Sequence, residues 1–232
     1  MMLQIRTLTG KRRLFFTVAF LLLLVSTLAL FFLGNGFAYF AHNEQHPFWL
    51  NVFFINYTFM GNGLFVICLA LVLMFRFKRK KEGMALLCGF FLSGIAVQLL
   101  KNINRLSHPT IFFEEGQRLF LANNISAVDS IGFISGHTTI AFMFATVLVL
   151  IIKNAKWQLP ILAGALLLGY SRIYLAQNHL QEILIGAVIG IISGTTAVYF
   201  AYCLKSYQYY FKKFFGMHRN ETMSAERNIQ PA

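Results

Sequence analysis

The sequence predicts an all-α polytopic membrane protein: six transmembrane helices in one bundle, with an extracytoplasmic cap segment between spans 3 and 4. Three observations predict it. Of 232 residues, 57% are hydrophobic and only 12% charged, and the mean hydropathy is +0.63; a soluble domain of this size needs more polar surface to cover itself. The apolar residues gather in runs long enough to cross a bilayer, at about 20 residues per helix. The cationic residues sit almost wholly in the gaps that six spans leave on one side.

The first span, about 14–34, follows Arg6, Lys11, Arg12 and Arg13. That approach resembles a signal-peptide n-region. The apolar stretch is too long for a cleaved signal and no small-residue cleavage site follows, so the span is expected to be retained. The next loop contains "AHNEQHPFW", in which His42, Glu44 and His46 alternate. On an extended segment they would share one face, as metal ligands do, but no further ligand accompanies them. A solvated loop ending with Pro47 at a helix start is the plainer reading, and no metal site is expected.

Span 2 covers about 49–75 and ends on "RFKRKK"; span 3 covers about 84–101. Residues 102–130, mixed polar and aromatic, form the expected cap. Spans 4, 5 and 6 follow at about 131–152, 158–174 and 180–204, the fifth being the shortest. The domain organisation is thus a cytoplasmic N-terminus (1–13), a six-helix membrane domain (14–207) and a polar cytoplasmic tail (208–232) whose composition predicts disorder. Cys68, Cys88 and Cys203 stand singly in apolar runs and read as small core residues, with no disulfide framework.

The formal net charge of +12 would suit nucleic acid, but its placement argues against that partner. Sixteen of the 20 Lys and Arg fall at the N-terminus, in 76–81, at Lys153 and Lys156, or from Lys205 onward. Six spans put all of these on one side, which the positive-inside rule makes cytoplasmic. They set topology and meet anionic head groups. The reading is therefore a multi-pass protein of the cell (inner or plasma) membrane with both termini cytoplasmic. Lys101, Arg105, Arg118 and Arg172 are the exceptions, all at the outer side or its boundary. Such a concentration points to an anion.

Three stretches carry polar residues to the outer ends of spans. In "KNINRLSHP", Lys101, Arg105 and His108 are spaced i, i+4, i+7 and share a face if span 3 continues as a helix, which Pro109 then ends. In "ISGHTTIAF", Ser135, Gly136 and His137 stand at a helix start, where free backbone N–H groups and the macrodipole favour an anion. Gly136 permits close approach, Ser135 donates a hydrogen bond and His137 can pass a proton. In "SRIYLAQNHLQE", Arg172 offers a planar fork suited to phosphate oxygens, ahead of His179 and Glu182. Taken singly, interfacial Lys and Arg often snorkel, and a His beside an apolar helix is more often hydrogen-bonded structure. Together at one membrane face they read as an oxyanion site, since intramembrane ionisable residues are functional by default.

Lys101 with "HP" after six residues, "SGHTT", and "SR" followed by a His and an acid resemble the three motifs of the type-2 phosphatidic acid phosphatase and vanadium haloperoxidase superfamily. The resemblance covers roughly 50–204, a phosphatase-like core. It implies that Lys101 and Arg172 clamp phosphate oxygens and that the backbone of Ser135 and Gly136 completes the cradle. His137 would protonate the leaving group. The third-motif His would attack phosphorus to form a phosphohistidine, with the acid orienting it. No metal or other cofactor is implied, because fixed cations and N–H dipoles stabilise the transition state.

This chain departs from the pattern at three places. His108 stands where the first motif has Arg, and Arg105 one turn earlier offers the missing charge. Ile134 stands for the Pro before Ser-Gly-His. In the third motif, the nucleophile's place falls on Asn178 and the acid's on Glu182, with His179 one residue late. Two registers stay open: a local bulge making His179 the nucleophile, or Asn178 in that place in a site that binds without turnover. The leading expectation is an integral-membrane phosphatase that hydrolyses a lipid phosphate monoester or pyrophosphate at the outer face. The alternative is a catalytically dead relative that binds lipid phosphate or scaffolds a partner.

Overall fold

A computed structural model describes residues 12–33, 47–103, 134–152, 154–175 and 177–202. The described residues form α-helices and short 3-10 turns, with no strand. In chain order the helices are α1 (Arg13–Leu33), α2 (Phe48–Thr58), α3 (Gly63–Phe75), α4 (Lys80–Ile103), α5 (Gly136–Ile151), α6 (Gln158–Tyr174) and α7 (Leu180–Tyr202). Three of them, α1, α4 and α7, are long and apolar enough to cross a membrane; α2 and α3 make a fourth if that bent pair counts as one span. The protein is an all-α membrane protein. The loop with His42, Glu44 and His46, most of the 102–130 segment including Arg105 and His108, Cys203 and the tail lie outside the described residues.

The apolar run 49–75 was expected as one span, and it is broken. Helix α2 ends at Thr58, a 3-10 turn occupies Phe59–Gly61, and α3 leaves at 56° to α2. The cause is local: Asn62 takes an extended conformation and its side chain accepts from Leu64 N at 3.1 Å, capping α3. At the other end Pro47 is the N-cap residue of α2, as the loop reading anticipated.

Helix α5 is the centre of the molecule. Its residues join two apolar clusters, one with Val66, Ala70, Leu86 and Val198 around Met143 and Val147, the other with Phe15, Leu162 and Ala165 around Phe142 and Val149. At 16 residues it is a short apolar helix, spanning about 24 Å against the roughly 30 Å of a bilayer's hydrocarbon core. Such a helix needs neighbours to shield its polar ends. Helix α7 provides one of them. Gly186, Gly190 and Gly194 recur every fourth residue and press on α5; a Cβ at Gly190 would stand 2.4 Å from Thr139 O and 2.8 Å from Met143 N. Small residues at that spacing let two helix backbones approach closely, which is the main source of helix association where lipid tails are as apolar as side chains.

Backbone atoms cannot move aside as a flexible side chain does. Gly190→Ala is therefore expected to force α5 and α7 apart and lower stability by about 1–3 kcal/mol, read as a lower thermal midpoint in detergent. An unchanged midpoint would mean that the two helices are not packed this way.

The end of the bundle where α5 finishes is closed by α1. Arg12 is buried and its guanidinium donates to the Ile152 carbonyl at the end of α5, while Phe15 N donates to Gln158 Oε1 at 3.1 Å. Of the cysteines read as core residues, Cys88 is half-buried, whereas Cys68 is exposed on the outer side of α3.

Candidate functional site

The N-terminus of α5, the C-terminus of α6, the N-terminus of α7 and the break between α2 and α3 meet at one place. Ser135 caps α5: its Oγ accepts from Thr138 N at 3.4 Å and Thr138 Oγ1 at 2.9 Å. Its own backbone N donates to the Glu182 carbonyl at 3.3 Å, tying the start of α5 to the first turn of α7. The Ser135 N–H expected in the phosphate cradle is thus already engaged. Gly136 and His137 follow it in the first turn of α5, where N–H groups have no intrahelical acceptor. Among the described residues, a Cβ at Gly136 would meet nothing within 4 Å, so backbone can be approached closely there.

Residues 175–179 connect α6 to α7. The chain folds back on Arg172, whose carbonyl accepts from Gln177 N at 2.9 Å and Asn178 N at 3.3 Å. His179 is the N-cap position of α7, with Glu182 three residues in. Glu182 N donates to the His179 carbonyl at 3.1 Å, and the His179 backbone N–H donates back to the Glu182 carboxylate. This is one half of a capping box, the carboxylate of the third helical residue reaching back to the N-cap N–H.

The side chains form a second, more consequential set. Arg172 Nε donates to Asn178 Oδ1 at 3.0 Å, and Asn178 Nδ2 donates to Glu182 Oε2 at 2.5 Å. The Asn178 amide is a neutral bridge between a cation and an acid, at 7% exposure, with Glu182 at 1%. Arg172 also reaches back to α2, where its Nη1 donates to Thr58 Oγ1 at 3.4 Å. Lys101, half-buried in the last turn of α4, acts electrostatically on both His137 and Glu182, and so does Arg172. Two cations, a helix start and a His therefore lie within electrostatic reach of one another. That arrangement can hold a multiply charged oxyanion with charge-assisted hydrogen bonds.

A family model for the PAP2 superfamily matches residues 14–206. The chain belongs to the PAP2 superfamily. Among solved structures, it is similar to the crystal structure of Aquifex aeolicus LpxE, with 29% sequence identity, a TM-score of 0.59, and coverage of 70% of this chain and 92% of that one. Among curated proteins, none matches. Membership and that neighbour support a membrane phosphatase, a hydrolase of the lipid-phosphatase kind.

Of the ten residues singled out in the sequence, eight are described: Lys101, Ser135, Gly136, His137, Arg172, Asn178, His179 and Glu182. They come from α4, α5, α6 and α7 and are brought to one end of the bundle. Arg105 and His108 lie outside the described residues. Thr58 was missed by the sequence reading. The signal available was "TFMGNG": two glycines flanking Asn62 inside an apolar run mark a break, and a broken helix at membrane depth is tolerated where it is buried in protein or lines a cavity.

Proposed function

We propose that this PAP2 superfamily member hydrolyses a phosphate monoester or pyrophosphate of a lipid at the outer membrane face, from a six-span bundle with both termini cytoplasmic. The observation that carries the reading is the convergence of Lys101 and Arg172 on the α5 N-terminus and His137. The cations and the Gly136 and His137 N–H groups would take the phosphate oxygens, and the charge that builds up in the transition state would find these dipoles already aimed at it. His137 would hand a proton to the leaving oxygen. An amide cannot attack phosphorus, so the nucleophile would be His179. Its phosphohistidine would then be opened by water, returning inorganic phosphate and free His179. Arg105 and His108 would add charge at the rim. Lipid phosphate and the membrane are the partners this requires.

One observation favours a second reading. Asn178 occupies the position from which the Glu182 carboxylate is contacted, and its amide already satisfies both Glu182 Oε2 and Arg172 Nε. A site built so would bind lipid phosphate and hold it without turnover.

The test is release of inorganic phosphate by purified protein in detergent from a panel of lipid phosphates and pyrophosphates, repeated with sealed cells supplied with a short-chain substrate from outside. Hydrolysis is expected in both. Release in detergent but none from outside intact cells would reverse the proposed face, and no release from any substrate would leave the binding reading.

A further inference from the structure

We infer that Thr58 is a positioning residue for Arg172, and through it for the bound phosphate, an inference that rests on the phosphate site proposed above. Several helical threonines of this chain use their hydroxyl on their own helix: Thr27 donates to Leu23 O at 2.7 Å, Thr146 to Phe142 O at 2.7 Å and Thr195 to Ile191 O at 2.8 Å. Thr58 is engaged differently. Its Oγ1 accepts from Arg172 Nη1, 114 positions away in sequence.

The place of that hydroxyl is set by the fold on both sides. Just before it, Tyr57 OH donates to Gly164 O at 2.9 Å, pinning the end of α2 to the middle of α6. Just after it, Gly61 lies so close to the start of α5 that a Cβ there would stand 3.0 Å from the His137 carbonyl and 3.2 Å from His137 Cβ. Broken backbone at membrane depth is tolerated only against protein or a cavity, and this break faces the site. An Arg side chain carries about 2 kcal/mol of rotamer entropy, and a guanidinium held by one hydrogen bond still swings about it. Asn178 holds Nε from the α6–α7 connection and Thr58 holds Nη1 from α2. Two acceptors on two elements fix the plane of the fork, so the remaining N–H groups arrive already aimed at an oxyanion. Preorganisation of this kind raises affinity by removing an ordering cost.

The experiment is titration of the purified full-length protein in detergent with orthovanadate, a phosphate mimic. Thr58→Val keeps shape and removes the acceptor; it is expected to weaken binding about tenfold, the low end for a hydrogen bond to a charged group because the contact is long. Thr58→Ser should restore wild-type affinity. In an Arg172→Lys background, which keeps the charge and lacks the fork, Thr58→Val should change nothing further, because Thr58 acts only through the guanidinium. Should Thr58→Val not survive purification, Thr58→Ala asks the same question. Wild-type affinity in Thr58→Val, failure of Ser to rescue, or an equal loss in the Arg172→Lys background would each overturn the inference. Absence of vanadate binding by the wild type would instead remove the phosphate site itself.

Discussion

Arg172→Ala is expected to weaken vanadate binding on the order of ten- to a hundredfold and to lower stability as well. Two losses add. A charge-assisted contact to a phosphate oxygen is worth about 1.5–3 kcal/mol, on the order of ten- to a hundredfold in Kd. Arg172 is also the cation bridged by Asn178 to Glu182, a carboxylate at 1% exposure. Removing one partner of a buried charge pair commonly costs about 3–5 kcal/mol, because the other charge stays buried. The variant should therefore melt earlier than wild type, and Glu182→Gln on the Arg172→Ala background should recover part of that melting loss without recovering binding. Lys101→Ala should weaken vanadate binding with a smaller cost to stability, since Lys101 is only half-buried at the end of α4. Arg172→Ala and Lys101→Ala proteins that both bind vanadate like wild type would put the phosphate elsewhere.

His179→Ala is expected to eliminate phosphate release, by about a thousandfold or more, while leaving inorganic phosphate affinity within a fewfold of wild type. The nucleophile must attack a phosphate that the two cations and the α5 start already hold, so its loss acts on chemistry and spares binding. Asn178→His should bring no gain in turnover in that case, since it removes the amide that holds Arg172 Nε and Glu182 Oε2. On the binding-only reading the same two substitutions give the opposite pattern. Wild type then releases nothing, His179→Ala has no effect, and Asn178→His places an imidazole where the amide now lies, next to Glu182 Oε2 and at the superfamily's spacing from it. Turnover would then appear only in Asn178→His. Release that survives His179→Ala undiminished would exclude His179 as nucleophile, and the two variants assayed side by side separate the readings without knowledge of the natural lipid.

Much of this protein was legible in the sequence. Apolar run length announced the membrane helices, since a helix in lipid needs a continuous apolar stretch and hides nothing from a reader of the chain. Ser135-Gly136-His137 announced a helix start, because capping is a local matter of three or four residues. Counting spans led to the expectation that Lys101, Arg172 and Glu182 share one end, and the structure brings the three near one another. The tertiary structure decided what depends on contacts between distant segments. It decided what the locally marked break at Phe59–Gly61 meets, a polar contact from Thr58 to Arg172 and close packing of Gly61 on His137, which no property of the run itself records. It turned the Ser135 N–H toward the Glu182 carbonyl, a pairing between residues 47 positions apart. It put Asn178 between Arg172 and Glu182, where spacing alone had left Asn178 and His179 as equals. A one-residue shift on a helix turns a side chain by about 100°, and here the turn falls in a connection whose path is fixed by the Arg172 carbonyl and the α7 cap. Local pattern specifies which elements form and where they end; which of two neighbouring side chains meets the acid depends on how three helices pack.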